Sequence, residues 1–501
     1  MLDTLRQYIV TVADWVCGYP LFFLLIGGGL YLFISSGAVS LRRLPASLAE
    51  LRRRPGNAER QAGQISSVQA LLSVVAATVG LGNIAGVAIA LVMGGPGAIF
   101  WMWVSAIVGM STKYHEGALA VMYRGHDASG RPHGGMMYII EEGLGHKWRP
   151  LATFFAIAGM FGTLCIMNAN QLTEAVTATF TTPQWIESSA LLGAVSSVTS
   201  LSHLQAFKLL FGILVAVIVA LVVLRGIRRI ARVASVMVPF MVGVYFVMVL
   251  YIICTNLGRV PEVFASIFHE AFNLQAGFGA LAGIAIIGAR RAALVNDAGI
   301  GTASIMHGAS RNTNPVREGL IAMLGPAIDS GLVCTLTATA LLICVPDIQS
   351  IEGVKGLAIA MDAFGRAIPG GAYMLMFVVI CFALSSMFSY SYYGTSCAAY
   401  LFGERKARFY TYAFLASLVV FAVVPLEAAV GMCDLFYAMM AMPTMFTLLV
   451  LSRRVHRVTR QWFARSKCKD AAIQDDGTTV QDKDAAPVGK EAVLADEDTK
   501  S

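Results

Sequence analysis

The chain has 501 residues, of which 57% are hydrophobic and 13% charged, and its mean hydropathy is +0.68. A soluble domain carries about 25% charged residues, so a disordered chain, a coiled coil, a collagen-like chain and a nucleic-acid-binding protein are excluded, and an all-α polytopic membrane protein is predicted. The net charge of +7 is unevenly spread: residues 470–501 hold nine acids and three lysines, so the other 469 residues carry +13.

A spanning helix needs about 20 mainly apolar residues, and eleven stretches qualify in chain order. The first covers 17–36. Asp3 and Asp14 flank it and no small-residue cleavage site follows, so it is expected to stay as a helix rather than be removed as a signal peptide. Six arginines follow it, from Arg42 to Arg60. The second, 66–93, contains Ala76-Ala77-Thr78-Val79-Gly80-Leu81-Gly82-Asn83 and a further glycine at 86. Each glycine weakens a helix by about 1 kcal/mol relative to alanine. An unwound segment here would offer carbonyls to a cation and a helix N-terminus to a carboxylate. Close packing through small residues is the alternative.

The third stretch, 98–123, carries Lys113 and Glu116 at helical i,i+3 spacing, an expected structural ion pair near the inner side. In the fourth, 150–180, Asn168, Asn170 and Gln171 can donate to and accept from a zwitterion, or clamp neighbouring helices. The fifth and sixth cover 204–224 and 233–254. The seventh, 276–306, has two glycine-rich stretches, Gly277–Gly283 and Asn296-Asp297-Ala298-Gly299-Ile300-Gly301, with Arg290 and Arg291 between them. If the arginines mark the inner interface, Gly277–Gly283 is the mid-membrane break, and Asn296 and Asp297 belong to a gating or interfacial turn. The eighth, 318–346, centres on Asp329, which could bind a cation or proton or be a hydrogen-bonded structural acid. In the ninth, 371–402, Ser385 and Ser386 offer hydroxyl oxygens suited to a small hard cation or bond back to their own helix, and Tyr390 could lid a small ligand or serve as packing. The tenth and eleventh cover 409–425 and 429–452.

The loops after odd-numbered spans, with the segment after span 11, hold 26 Lys and Arg residues; the opposite side holds Arg6, Arg259, Lys355 and Arg366. The positive-inside rule then puts the N-terminus outside and the C-terminus in the cytoplasm. Spans 2 and 7 begin five spans apart with opposite senses, as in an inverted repeat of five plus five helices preceded by one extra helix. The expected divisions are 1–65 (extra helix and basic loop), 66–254 (first repeat), 255–452 (second repeat) and 453–501 (a basic, then acidic, disordered tail). The nine cysteines show no CxxC spacing, and His115, His269 and His307 are far apart in the chain. No HExxH or GxSxG occurs. No cofactor, resident metal or nucleic-acid partner is therefore expected, and an intramembrane enzyme or a channel ranks below a carrier.

Several motifs in order resemble the alanine/glycine:cation symporter family. They include Ala77–Ala88, Gly94-Gly95-Pro96-Gly97 to Trp103, Gly109-Met110-Ser111-Thr112-Lys113-Tyr114-His115-Glu116, Gly134–Ile139, Asn296-Asp297-Ala298-Gly299-Ile300-Gly301, and Ser391-Tyr392-Tyr393-Gly394 with Tyr400–Gly403. The resemblance covers roughly Gly63 to Leu451. It implies eleven helices, a leucine-transporter-like core in a bacterial inner membrane, and sodium-driven uptake of small neutral amino acids. Carried onto this sequence, Thr78, Gly80, Gly82 and Asn83 would line the amino-acid site with Asn168, Asn170 and Tyr390. The carbonyls of Ala76 and Val79, with Ser385 and Ser386, would form a sodium site. Proton coupling through Asp329 remains open beside sodium coupling. The chain departs from the family's pattern at Asp297 (usually Glu), Asn168 (Gln), Ser385 and Ser386 (paired Thr), Tyr390 (Trp) and Thr395 (Glu). These differences imply a pocket for a somewhat larger or more polar amino acid.

Overall fold

The computed structural model describes residues 19–53, 65–126, 132–272, 278–350, 356–424 and 426–476. Helices dominate these residues; the only sheet among them is a two-stranded antiparallel ribbon, Gly125–His126 on Pro132–His133. All eleven predicted stretches carry helix. By length and apolarity alone, seven helices qualify as membrane-crossing among the described residues, or eight if the bent pair Ser67–Thr78 and Gly82–Gly94 is one span. The first stretch is a shorter apolar helix, Pro20–Ser35.

Local chemistry explains where key helices start. At Ser67–Thr78 the Ser66 hydroxyl accepts from the Gln69 backbone N–H at 3.2 Å, and the Gln69 side chain accepts from Ser66 N–H at 2.9 Å. The same box, Ser202 with Gln205, opens His203–Val223. Asn314 caps Pro315–Cys344, its Oδ1 accepting from the N–H groups of Val316 and Arg317, with Pro315 at the first helical position, where it needs no donor.

The outer helices present their apolar side to lipid: Leu221, Val236 and Val247 are 65%, 70% and 65% exposed. A water-soluble monomer does not leave such a contiguous apolar belt bare. Inside, Gly97–Met122 (span 3) packs against Phe278–Val295 (span 7) and the start of span 8. Ser67–Thr78 packs against Ile227–Thr255 (span 6) and Gly371–Phe402 (span 9). The last helix, Leu426–Asp476, does not stop at 452: Val455 and Val458 are buried at i,i+3 spacing, so 453–465, expected as the start of a disordered tail, prolong it. Residues 477–501, the acidic part of that tail, lie outside the described residues.

Irregular backbone gathers at one level. Span 2 bends by 56° across Val79–Leu81, and its second half begins with a wider π turn, Gly82–Gly86. Span 7 winds from Phe278 to Val295, opens through 296–302, and resumes at Ala303–Gly308. Span 8 holds a π turn at Ala327–Val333. Turns of this kind inside helices mark functional positions.

This corrects the expected break in span 7. Gly279 and Gly283 sit within a regular helix, Gly277 lies outside the described residues, and the chain opens at Asn296–Thr302 instead. There Asp297, Gly299 and Gly301 all take positive φ, at 51°, 89° and 92°.

Candidate binding site

A cavity of about 210 Å³ lies where the two breaks meet. Thr78, Gly80 and Gly82 of span 2 line it, with Asn168 and Gln171 of span 4, Asp297 of span 7, Ser386 and Tyr390 of span 9, and Tyr437 of span 11. It continues along Ala85 and Ile89 and reaches Arg291 and Asp434. Arg291 thus faces a cavity that also holds the Asp434 carboxylate, the setting in which an arginine tolerates membrane depth.

The span 2 break is held by a side chain of its own. Asn83 Oδ1 accepts from Gly80 N–H at 2.9 Å, and Asn83 Nδ2 donates to Asp329 Oδ1. Asn83 is fully buried and lies behind the cavity wall. Asp329 is also fully buried, and its Oδ2 has no hydrogen-bond partner among the described residues. At Gly80 a Cβ would stand 3.2 Å from the Ser386 hydroxyl, so glycine lets the two helices approach here.

Ser385 and Ser386 come within hydrogen-bond reach of the span 2 carbonyls. Ser385 Oγ donates to Ala76 O at 3.0 Å, and Ser386 Oγ lies 3.0 Å from Ala77 O and 3.2 Å from Ala76 O. Among the described residues the hydroxyls reach Ala76 and Ala77 rather than Val79. Four oxygens therefore converge beside the break, a donor set suited to a hard cation.

The span 7 break is tied down by distant partners. Glu116 Oε1 accepts from Gly299 N–H at 2.7 Å, and Lys113 Nζ lies 3.9 Å from Glu116, both side chains buried. The expected ion pair thus also fastens the break. Asn296 Oδ1 accepts from Ala298 N–H at 3.0 Å, and its Nδ2 donates to Ser330 at 3.2 Å. Tyr390 donates to Asp297 Oδ2 at 2.8 Å and receives a hydrogen bond from Tyr437 at 2.7 Å. The Tyr390 hydroxyl is thus engaged on both sides, and its ring presents a flat wall to the cavity.

Of the expected site residues, Thr78, Gly80, Gly82, Asn168, Asp297, Ser386 and Tyr390 line the cavity. Asn83, Ala76, Val79, Ser385, Asn296 and Asp329 stand behind it. Asn170 is placed elsewhere: its Nδ2 donates to Phe421 O and Val424 O, so it clamps span 4 to span 10. The sequence reading did not include Arg291, Asp434 or Tyr437 in the site. Arg291 does carry a signal, a charge inside an apolar stretch, and it lines the cavity.

Residues 2–475 match the model of the sodium:alanine symporter family. The sodium/alanine symporter AgcS of Methanococcus maripaludis is 36% identical over 448 residues, covering 88% of this chain and 94% of the relative. The probable sodium/glutamine symporter GlnT of Bacillus subtilis is 29% identical, covering 95% of each chain. The crystal structure of MhsT in complex with L-phenylalanine superposes with TM-score 0.53 at 14% identity, over 78% of this chain and 89% of that one. That likeness makes the fold leucine-transporter-like.

Proposed function

Because the chain belongs to the sodium:alanine symporter family, it is an integral membrane transporter of amino acids rather than an enzyme, and we propose that it couples sodium to the uptake of small neutral amino acids. The class is that of alanine, glycine and serine, moved by alternating access. The observation that carries this reading is the cavity at the meeting point of two broken helices, with the oxygens of Ala76, Ala77, Ser385 and Ser386 beside it.

The substrate carboxylate binds at the start of the helix Gly82–Gly94, where the helix dipole favours negative charge. The ammonium faces carbonyl oxygens and the Asn168 side chain, and Tyr390 limits side-chain size. Sodium takes the serine hydroxyls and the carbonyls of Ala76 and its neighbours through Val79. Asn83 positions the break rather than touching substrate. The five-helix halves are 66–254 and 255–452, with 1–65 as an added helix and loop. The arginine-rich ends face the cytoplasm of a bacterial inner membrane, which puts the N-terminus outside and points the cavity outward. On this reading Arg291 and Asp434 stand at its outer mouth.

The test is uptake of labelled alanine, glycine and serine into proteoliposomes under an inward sodium gradient. Absence of sodium-dependent uptake across a panel of neutral amino acids rejects the proposal. A second reading, proton coupling, has one observation in its favour: the unpartnered Oδ2 of buried Asp329. It requires uptake driven by a pH gradient in sodium-free buffer and lost in Asp329→Asn. Sodium coupling predicts no such uptake.

A further inference from the structure

A second cavity, of about 570 Å³, opens at the arginine-rich end of the bundle, between the end of the first helix and the last helix. Arg42, Arg43 and Arg460 line it together with Ser36, Thr459 and Phe463. None of the three arginines pairs with a carboxylate among the described residues. The Arg43 guanidinium stacks on the Phe463 ring, 3.7 Å from its centroid, which fixes its plane and leaves its edge donors free. Three like charges around one cavity repel one another, and an anion placed among them removes that cost. Guanidinium forks match phosphate oxygens in geometry as well as charge.

The surroundings distinguish a lipid from a dissolved phosphate. Ile34 lines the cavity, and Leu30, Tyr31 and Ile34 are exposed in sequence along the first helix leading away from it. This apolar track runs along the lipid-facing surface, where acyl chains would lie while the headgroup stays at the end of the span. Thr459, on the cavity wall, is hydrogen-bonded at 2.7 Å to Tyr114 of span 3, so the wall is tied to the helix that also holds Glu116.

We propose that this cavity is a binding site for the headgroup of an anionic glycerophospholipid, held by Arg42, Arg43 and Arg460 with its acyl chains along Leu30–Ile34. The site is separate from the transport cavity and does not depend on the substrate assigned to it.

The test is native mass spectrometry of the purified full chain titrated with phosphatidylglycerol or phosphatidylcholine. Phosphatidylglycerol is expected to be retained preferentially, and the Arg42→Gln/Arg43→Gln/Arg460→Gln variant should retain it about tenfold less. The charge-matched variant Arg225→Gln/Arg228→Gln/Arg229→Gln, altered in another loop, should behave like the parent. Where the triple variant does not fold, Arg460→Gln alone, an exposed position, carries the test with a smaller loss. Equal retention by parent and site variant overturns the proposal, as does equal loss in both charge variants. Displacement of the lipid by millimolar inorganic phosphate overturns it in favour of a soluble-anion site.

Discussion

At Tyr390 and Ser386 the chemistry of a single side chain is set by partners far away in the chain. The Tyr390 hydroxyl bridges Tyr437 and Asp297, so it does not serve as a free polar group in the pocket. Tyr390→Trp enlarges the wall and removes that bridge. The ranking of substrates in competition uptake should move toward glycine and alanine, with lower uptake overall because Asp297 loses its shortest donor. An unchanged ranking removes Tyr390 as the size filter. Ser386→Ala deletes one oxygen from the set beside Ala76 and Ala77. The sodium concentration for half-maximal uptake should rise about tenfold, equivalent to about 1.4 kcal/mol. Unaltered sodium dependence removes the serine from the ion site. The polar residues themselves were legible in the sequence because oxygen-bearing side chains stand out in apolar runs. Which of them face the cavity was not. Asn168 and Asn170 are two residues apart, and the two helical steps between them, about 200° of rotation, turn the second onto the carbonyls of span 10.

Among the elements, the two broken helices were unequally readable. Span 2 concentrates three glycines, Thr78 and Asn83 within Thr78–Gly86, and it bends there. Span 7 offers two glycine-rich stretches, and local weakness alone does not choose between them. The choice is made by contacts: Glu116 on Gly299 N–H, Thr444 on Ile300 O, and Tyr390 on Asp297. These satisfy polar groups that an open backbone would otherwise leave unpaired in an apolar setting. Gly301 tests this directly. Its φ is 92°, and an added Cβ would stand 2.6 Å from Thr444 Oγ1 and 3.0 Å from the Phe155 ring. Gly301→Ala should cost about 2 kcal/mol, combining left-handed strain with the clash. A lowered thermal unfolding midpoint in detergent is the measurement. A midpoint equal to the parent's would mean the break relaxes freely.

For the whole molecule, the direction of the cavity combines the lining residues with the distribution of arginine. The lining runs from the breaks along Ala85 and Ile89 to Arg291 and Asp434, away from the arginine-rich end. Ile89→Cys, in a background with all nine native cysteines replaced by serine, should react with a membrane-impermeant maleimide added outside intact cells, and substrate should slow the reaction. Ala464→Cys, exposed at the opposite end, should react only after the cells are permeabilised. Labelling of Ala464→Cys in intact cells would reverse the orientation.

Hydropathy by itself determined the membrane class and the places of the helices, because crossing a bilayer demands long apolar runs whatever their neighbours are. Charge asymmetry supplied an expected orientation, and motif order pointed to the family. Tertiary structure decided where span 7 opens, that Asn83 acts behind the wall, that Asn170 clamps span 4 to span 10, and that Arg291 and Asp434 reach the cavity. The physical reason is the same in each case. A polar group in a membrane protein takes its role from the partner that satisfies it, and the partners of Asn83, Asp297 and Gly299 lie 246, 93 and 183 residues away in the chain.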